Sequence, residues 1–372
     1  MENLAFQLAG SVYIQMRKVL LKIHLVMGLA AALFLIILGL TGSIMAFEGD
    51  IDHWIHPGFW HVVERQALVE GELIAGVERS LAPLRVQAVE MSQHRDLAQL
   101  MHLSDNSLVS VNPYTGTILG RRTSPGRTGK WLGFIHQVHL RLAGSGRDAW
   151  APAGKIIVSY AGLALLLLAP TGLLLWWRAK RGSIRWSGTW FRVCLDLHHV
   201  IGIYAGLFLW MAALTGILIG FEWPEKAIYS LTHSSRPGFE EPPPSTPLPG
   251  ATPVGVDRAI TAARQAIPNA AAELIFLPAE PNASYLIILR VPEETSGSPH
   301  STVTIDQYSG KPLAVHNFLT DSQGYRWIRF NRSIHTGDIG GLAGHIVMSL
   351  SSLLLVVMAI TGIVIWLKKL AF

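Results

Sequence analysis

The chain is poor in cysteine and in charge. Cys194 is the sole cysteine among 372 residues, so no intramolecular disulfide can form. A single thiol also excludes a thiolate metal cluster and the C-x-x-C-H attachment of c-type haem, so any metal centre must draw mainly on histidine. Charged residues make up 15% of the sequence and hydrophobic ones 50%, with a mean hydropathy of +0.35. That balance lies outside the soluble class and points to a membrane protein.

Four stretches contain no Asp, Glu, Lys or Arg: residues 23–47, 156–177, 200–221 and 346–367. About 20 apolar residues at 1.5 Å each cover the ~30 Å hydrocarbon core, so each stretch can span a bilayer. Arg17, Lys18 and Lys22 precede the first span. Arg178, Lys180, Arg181, Arg185 and Arg192 separate the second from the third, and Lys368 and Lys369 follow the fourth. By the positive-inside rule, segments 1–22, 178–199 and 368–372 are cytoplasmic, which puts both termini inside and the connections 48–155 and 222–345 outside. The sequence pI of 9.4 reflects this topology, and no nucleic-acid partner is expected. The first apolar run has no small-residue cleavage signature and reads as a retained span.

The chain is a tandem duplication. Lys22-Ile23-His24-Leu25-Val26-Met27-Gly28 matches Asp196-Leu197-His198-His199-Val200-Ile201-Gly202, and Thr41-Gly42 matches Thr215-Gly216. Gly154, Ile156, Ser159, Thr171 and Gly172 match Gly344, Ile346, Ser349, Thr361 and Gly362. The outer connections match as well, Asn112-Pro113-Tyr114-Thr115-Gly116 with Asp306-Gln307-Tyr308-Ser309-Gly310. Alternating polarity running into a Gly turn predicts an antiparallel hairpin in each. Helical patterns around 71–82 and 254–267 precede the hairpins, and the proline-rich segment 242–253 reads as a stiff linker. The expected fold is a mainly α membrane protein: a four-helix transmembrane bundle carrying two small α+β lobes on its outer face. Two spans per half give parallel repeats related by an axis along the membrane normal.

That symmetry sets equivalent histidines face to face at equal depth. His24 and His198 form one pair near the cytoplasmic surface. Ile135-His136 and Ile334-His335 suggest a second pair near the outer surface. A flat cofactor on the axis could take one imidazole on each face, as iron protoporphyrin does, which implies two b-type haems. Gly28 and Gly202 lie four residues after their histidines, where they serve either a porphyrin edge or close helix packing. His139, His199 and His345 are competing ligands; of these His345 begins a span, and none has a histidine partner in the other half. Zinc or copper fits less well, because neither pair has further ligands. Trp131, Trp150, Tyr325, Trp327 and Arg329 lie close in sequence to the outer histidines. They form either interfacial anchors or an acceptor cleft.

These motifs resemble the PepSY-associated transmembrane family over nearly the whole chain. The resemblance implies PepSY-like periplasmic lobes, a bacterial inner-membrane location and, from its siderophore-iron reductases, haem-dependent reduction of a ferric siderophore complex to ferrous iron. It carries the axial-ligand role onto His24, His136, His198 and His335. The electron donor is a membrane quinol or a cytoplasmic reductant. A G-x-G-x-x-G nucleotide fingerprint is missing, and the cytoplasmic segments are too short for a nucleotide domain. The competing expectations are a membrane-anchored binding or regulatory protein and an iron-chelate transporter. The spans read as uninterrupted apart from Pro170, which weighs against transport.

Overall fold

The computed structural model describes residues 2–123, 126–145, 149–179, 182–236, 241–247, 250–294 and 301–370; Lys180 and Arg181 of the basic loop lie outside them. The first half contains α1 (Glu2–Met45), α2 (Glu48–Ile55), α3 (Pro57–Trp60), α4 (Glu70–Ser80), β1 (Val86–Glu90), β2 (Gln99–Leu103), β3 (Ser107–Val111), β4 (Ile118–Thr123), α5 (Gly126–Arg141) and α6 (Trp150–Ala179). The second contains α7 (Trp190–Tyr204), α8 (Gly206–Gly220), α9 (Glu222–Leu231), α10 (Val256–Ala266), β5 (Ala271–Phe276), β6 (Tyr285–Arg290), β7 (Ser301–Ile305), β8 (Pro312–His316), α11 (Gln323–Thr336) and α12 (Gly341–Leu370). They gather into two compact units. A helical unit takes Met1–Glu48, Leu132–Ile228 and Asn331–Phe372, and a sheet unit takes Gly49–Trp131 and Tyr229–Phe330.

The helical unit is a membrane unit. Ile14–Met45, Trp150–Trp177 and Asp338–Lys369 are each long and apolar enough to cross a bilayer, and α7 with α8 makes a fourth crossing if the pair is one span. Large apolar side chains such as Leu33, Leu174, Leu207 and Leu350 stand exposed on these helices, as lipid-facing residues do. Small residues let the helices approach. Ala31, Leu35, Ala161, Leu168, Ile201, Ala205, Leu209 and Leu355 form the shared interior.

The third span departs from expectation. It is not continuous, because α7 and α8 meet at 63° around Ala205, which keeps helical dihedrals of φ −89° and ψ −14°. Glycines stand on both sides of the bend, Gly202 and Gly206. The repeat offset carries Gly206 onto Ala32, inside the unbroken α1. A second glycine lowers the cost of leaving the helix, which accounts for a bend in one half only.

In the sheet unit the two expected lobes are one body. A single antiparallel sheet runs β4-β3-β2-β1-β5-β6-β7-β8, four strands from each half. The halves join where Val89 faces Ile275. The offset that carries α4 onto α10 also carries Val89 onto Ile275, so the pairing sets two copies of one strand together about a local two-fold axis. Leu73 and Val77 of α4 and Ala259, Ile260 and Ala263 of α10 pack with Val89, Met101, Val109, Ile275, Ile287 and Val303 in one buried core. Fusing the lobes removes the open β1 and β5 edges and doubles the core, which relieves the marginal stability of a small lobe.

The hairpins match the sequence reading closely. Asn112 Oδ1 accepts the amides of Tyr114 and Thr115, and Asp306 Oδ1 those of Tyr308 and Ser309. Gly116 and Gly310 both sit at φ +70°, a left-handed position that suits glycine. The proline-rich segment is no free linker. Ser245 is buried and receives the amide of Gln307, while Pro243 O accepts the hydroxyl of Ser284. Within the connections 48–155 and 222–345, the C-terminal parts of α5 and α11 group with the helical unit.

Candidate functional site

The helical unit holds a partly open cavity of about 410 Å³, lined in matched pairs from the two halves. His24 and His198 face into it, as do Gly28 and Gly202, Gly172 and Gly362, Trp176 and Trp366, and Leu35 and Leu209. Arg17 and Lys369 add cationic groups to an otherwise apolar wall, and His199 lies beside His198. The volume falls within the range of cofactor pockets, about 300–1,000 Å³. The imidazole centroids of His24 and His198 are 6.5 Å apart, with ring planes at 88°. Room beside the rings comes from small residues. A Cβ on Gly28 would meet only Leu168 at 3.8 Å, whereas one on Gly202 would press Met358 at 3.3 Å.

Each inner imidazole is held by the second span of its own half. His24 Nδ1 lies 3.0 Å from Thr171 Oγ1. His198 Nδ1 lies 3.0 Å from Thr361 Oγ1 and 3.1 Å from the carbonyl oxygen of Met358. The glycine after each threonine gives the ring its clearance: a Cβ on Gly172 would stand 3.2 Å from His24 Cε1, and one on Gly362 3.5 Å from His198 Cε1.

The outer histidines follow the same rule with one exchange. His335 Nδ1 bonds Thr215 Oγ1 at 2.9 Å, and the matching threonine, Thr41, bonds His139 Nδ1 at 2.8 Å. Gly216 and Gly42 then face the Cε1 atoms of His335 and His139 at 3.1 and 3.2 Å from a built Cβ. His139 is therefore the structural counterpart of His335, and the sequence pairing of His136 with His335 is corrected. His136, a helical turn earlier on α5, bonds Glu48 Oε2 at 3.1 Å. Tight docking fixes the geometry. A Cβ on Gly154 would lie 2.0 Å from Arg141 O, and one on Gly344 2.0 Å from Gly337 O, so only glycine lets each short helix end close against the following span.

Burial pushes His139 down to about 3, with the neighbouring His335 and His136 adding to it, and pushes His335 down to about 4. Both rings are neutral at physiological pH, the state in which imidazole ligates metals. His345 is engaged elsewhere, with Nε2 3.1 Å from Asp338 Oδ1 and its ring edge-on to Phe47. Among the described residues, no group of three or more His, Cys, Asp or Glu is placed to hold a metal ion.

The residues expected to form a cleft divide between the units. Trp131, Tyr325, Trp327 and Arg329 belong to the sheet unit and Trp150 to the helical unit. Tyr325 packs against the sheet core, Trp327 stacks edge-on with Phe330 at 5.8 Å, and Trp150 Nε1 donates to Leu142 O.

Sequence reasoning placed His139 among the competing ligands rather than in the outer pair, and it missed the threonines' role. The signal for His139 was present in the offsets. Strand β4 maps onto β8 at 194 residues and Gly154 onto Gly344 at 190. His139 to His335 is 196, closer to both flanks than the 199 of His136.

A family model for the PepSY-associated TM region matches residues 21–369. No curated protein matches the chain.

Proposed function

The chain belongs to the PepSY-associated TM family, and from that premise we propose that it is a di-haem transmembrane oxidoreductase that delivers electrons to ferric iron in a periplasmic siderophore complex. The observation that carries this reading is the His24–His198 pair across a cavity of matched walls. Two imidazoles on opposite faces of one iron need centroids roughly 6 Å apart, from a metal–nitrogen bond of about 2 Å plus a ring radius of about 1 Å on each side. The observed 6.5 Å fits that requirement. Glycines at the ring faces and cations at the wall, Arg17 and Lys369, suit a flat macrocycle bearing carboxylates.

In this reading His24 and His198 would hold an inner b-type haem, and His139 and His335 an outer one. Held by two histidines each, such groups would supply one-electron redox chemistry rather than oxygen activation. The chain's own part is to hold the imidazoles in register between apolar walls. One electron converts ferric to ferrous iron, which binds such a chelate more weakly and is released. The electron comes from a membrane quinol or a cytoplasmic reductant. Both termini and the loop between α6 and α7 face the cytoplasm of a bacterial inner membrane, following the basic residues Arg17, Arg185 and Lys369.

Absorption of the dithionite-reduced, purified protein tests the reading. A b-type α band and two haems per chain are expected, with reoxidation by a ferric siderophore; a protein with no such band defeats it. The bend between α7 and α8 favours a second reading, transport of the iron chelate, because discontinuous spans often line substrate sites. Uptake of labelled chelate into sealed vesicles without a reductant would favour that alternative.

A further inference from the structure

The Thr-Gly dipeptide occurs once in each of the four spans, and all four copies contact a histidine. We propose that these pairs are positioning residues for four ligating imidazoles: each threonine takes the Nδ1 hydrogen of its histidine and so leaves Nε2 as the ligating nitrogen, while each glycine leaves room for Cε1 of the same ring. The proposal rests on the di-haem reading and adds to it the residues that set ligand orientation and potential.

A threonine hydroxyl has a single hydrogen. In all four spans that hydrogen has a backbone acceptor one turn back. Thr41 donates to Ile37 O at 2.7 Å, and Thr171, Thr215 and Thr361 donate to Leu167, Met211 and Val357 O at 2.8 Å. Each Oγ1 therefore meets its imidazole as an acceptor, at 2.8 to 3.0 Å. A second contact fixes the direction independently. His198 Nδ1 also lies 3.1 Å from Met358 O, and a carbonyl oxygen can only accept, so Nδ1 carries the hydrogen. Ala212 plays the same part for His335, again three residues before the threonine. With Nδ1 protonated in a neutral ring, the lone pair is on Nε2.

The glycines complete the device. Built Cβ atoms at Gly42, Gly172 and Gly216 approach the histidine Cε1 to 3.2, 3.2 and 3.1 Å, closer than ordinary packing, so a side chain there requires the ring to give way slightly. Thr-Gly thus fixes both the tautomer and the seat of the imidazole. Hydrogen bonding at the remote nitrogen orients a metal-bound histidine and raises its basicity, which favours ferric over ferrous iron.

The test compares Thr171→Val and Thr171→Ser in the full-length protein, reading haem affinity and the midpoint potential of each haem. Valine removes the acceptor at constant shape, and serine retains it. Thr171→Val is expected to weaken one haem by about 10–100-fold and to raise its potential. A tenfold change in the ferric-to-ferrous binding ratio corresponds to ~59 mV. Thr171→Ser should stay close to wild type. A two-haem wild type whose Thr171→Val form keeps both affinity and potentials overturns the proposal alone. A wild type that binds no haem overturns the di-haem reading and this proposal with it. Should Thr171→Val fail to assemble, Thr41→Val makes the same measurement at the outer pair.

Discussion

The inner and outer histidine pairs share one design but reach it by different routes. His24 and His198 lie on the spans themselves, His24 in α1 and His198 in α7, so one constant offset relates the two histidines and another relates the Thr171 and Thr361 that hold them. His139 and His335 lie on the short helices α5 and α11, each after a four-strand meander whose loops differ in length between the halves. A span cannot gain a residue without rotating its lipid face and its ligand, whereas a loop can. Repeat offsets are therefore reliable within spans and drift across connections. That difference is why a repeat offset pairs His24 with His198 but points to His136 in place of His139.

The comparison is most easily broken by removing a ligand. His24→Ala and His198→Ala should each abolish the inner haem and leave the outer one, which reduced-minus-oxidised spectra would register as loss of half the α-band intensity. Loss of both haems from either variant would mean that the pairs are not independent sites.

The next effect separates the halves. His198 and His335 have a carbonyl backing the threonine, Met358 and Ala212 respectively. Thr361→Val and Thr215→Val should therefore shift the haem potential less than Thr171→Val and Thr41→Val do. Equal shifts in spectroelectrochemical titration would show that the carbonyls contribute nothing.

A smaller graded effect follows from the glycines. A Cβ at Gly216 would stand 3.1 Å from its imidazole and one at Gly362 3.5 Å, the latter an ordinary contact. Gly216→Ala should perturb the outer haem's low-spin EPR signal, and Gly362→Ala should leave the inner one nearly unchanged. The reverse order would place the crowding elsewhere.

The smallest effect is on acid stability of the haem-free protein. The folded values of His139 and His335, about 3 and about 4, lie below the ordinary value of 6.5. Between those limits the unfolded chain binds more protons than the folded one. Stability is thus intact above about pH 6.5 and falls as pH drops toward 4 and then 3. Thermal melts from pH 7 to pH 4 should show His139→Gln losing less stability than wild type, and an unchanged slope would remove the outer histidines as its cause.

Much of this arrangement was legible in the residues. Three uncharged stretches marked helices long enough to cross a bilayer and the fourth marked the bent pair α7 and α8, while Asn112–Gly116 with Asp306–Gly310 marked the hairpins. The matched Thr-Gly dipeptides marked the repeat, but their role was hidden, since a hydrogen bond between Thr41 and His139 joins residues with no periodic relation. The fused sheet was hidden for a similar reason. Pairing of Val89 with Ile275 is a contact between copies, and alternation within a strand does not name its neighbour. The bend at Ala205 rested on one extra glycine, Gly206, in an otherwise ordinary span.

The central claim is that His139 and not His136 completes the outer pair, and haem content per chain tests it directly. Pyridine haemochrome assays of His139→Ala and His136→Ala should give one haem and two haems respectively, against two in the wild type. Two haems in His139→Ala with one in His136→Ala would contradict the account.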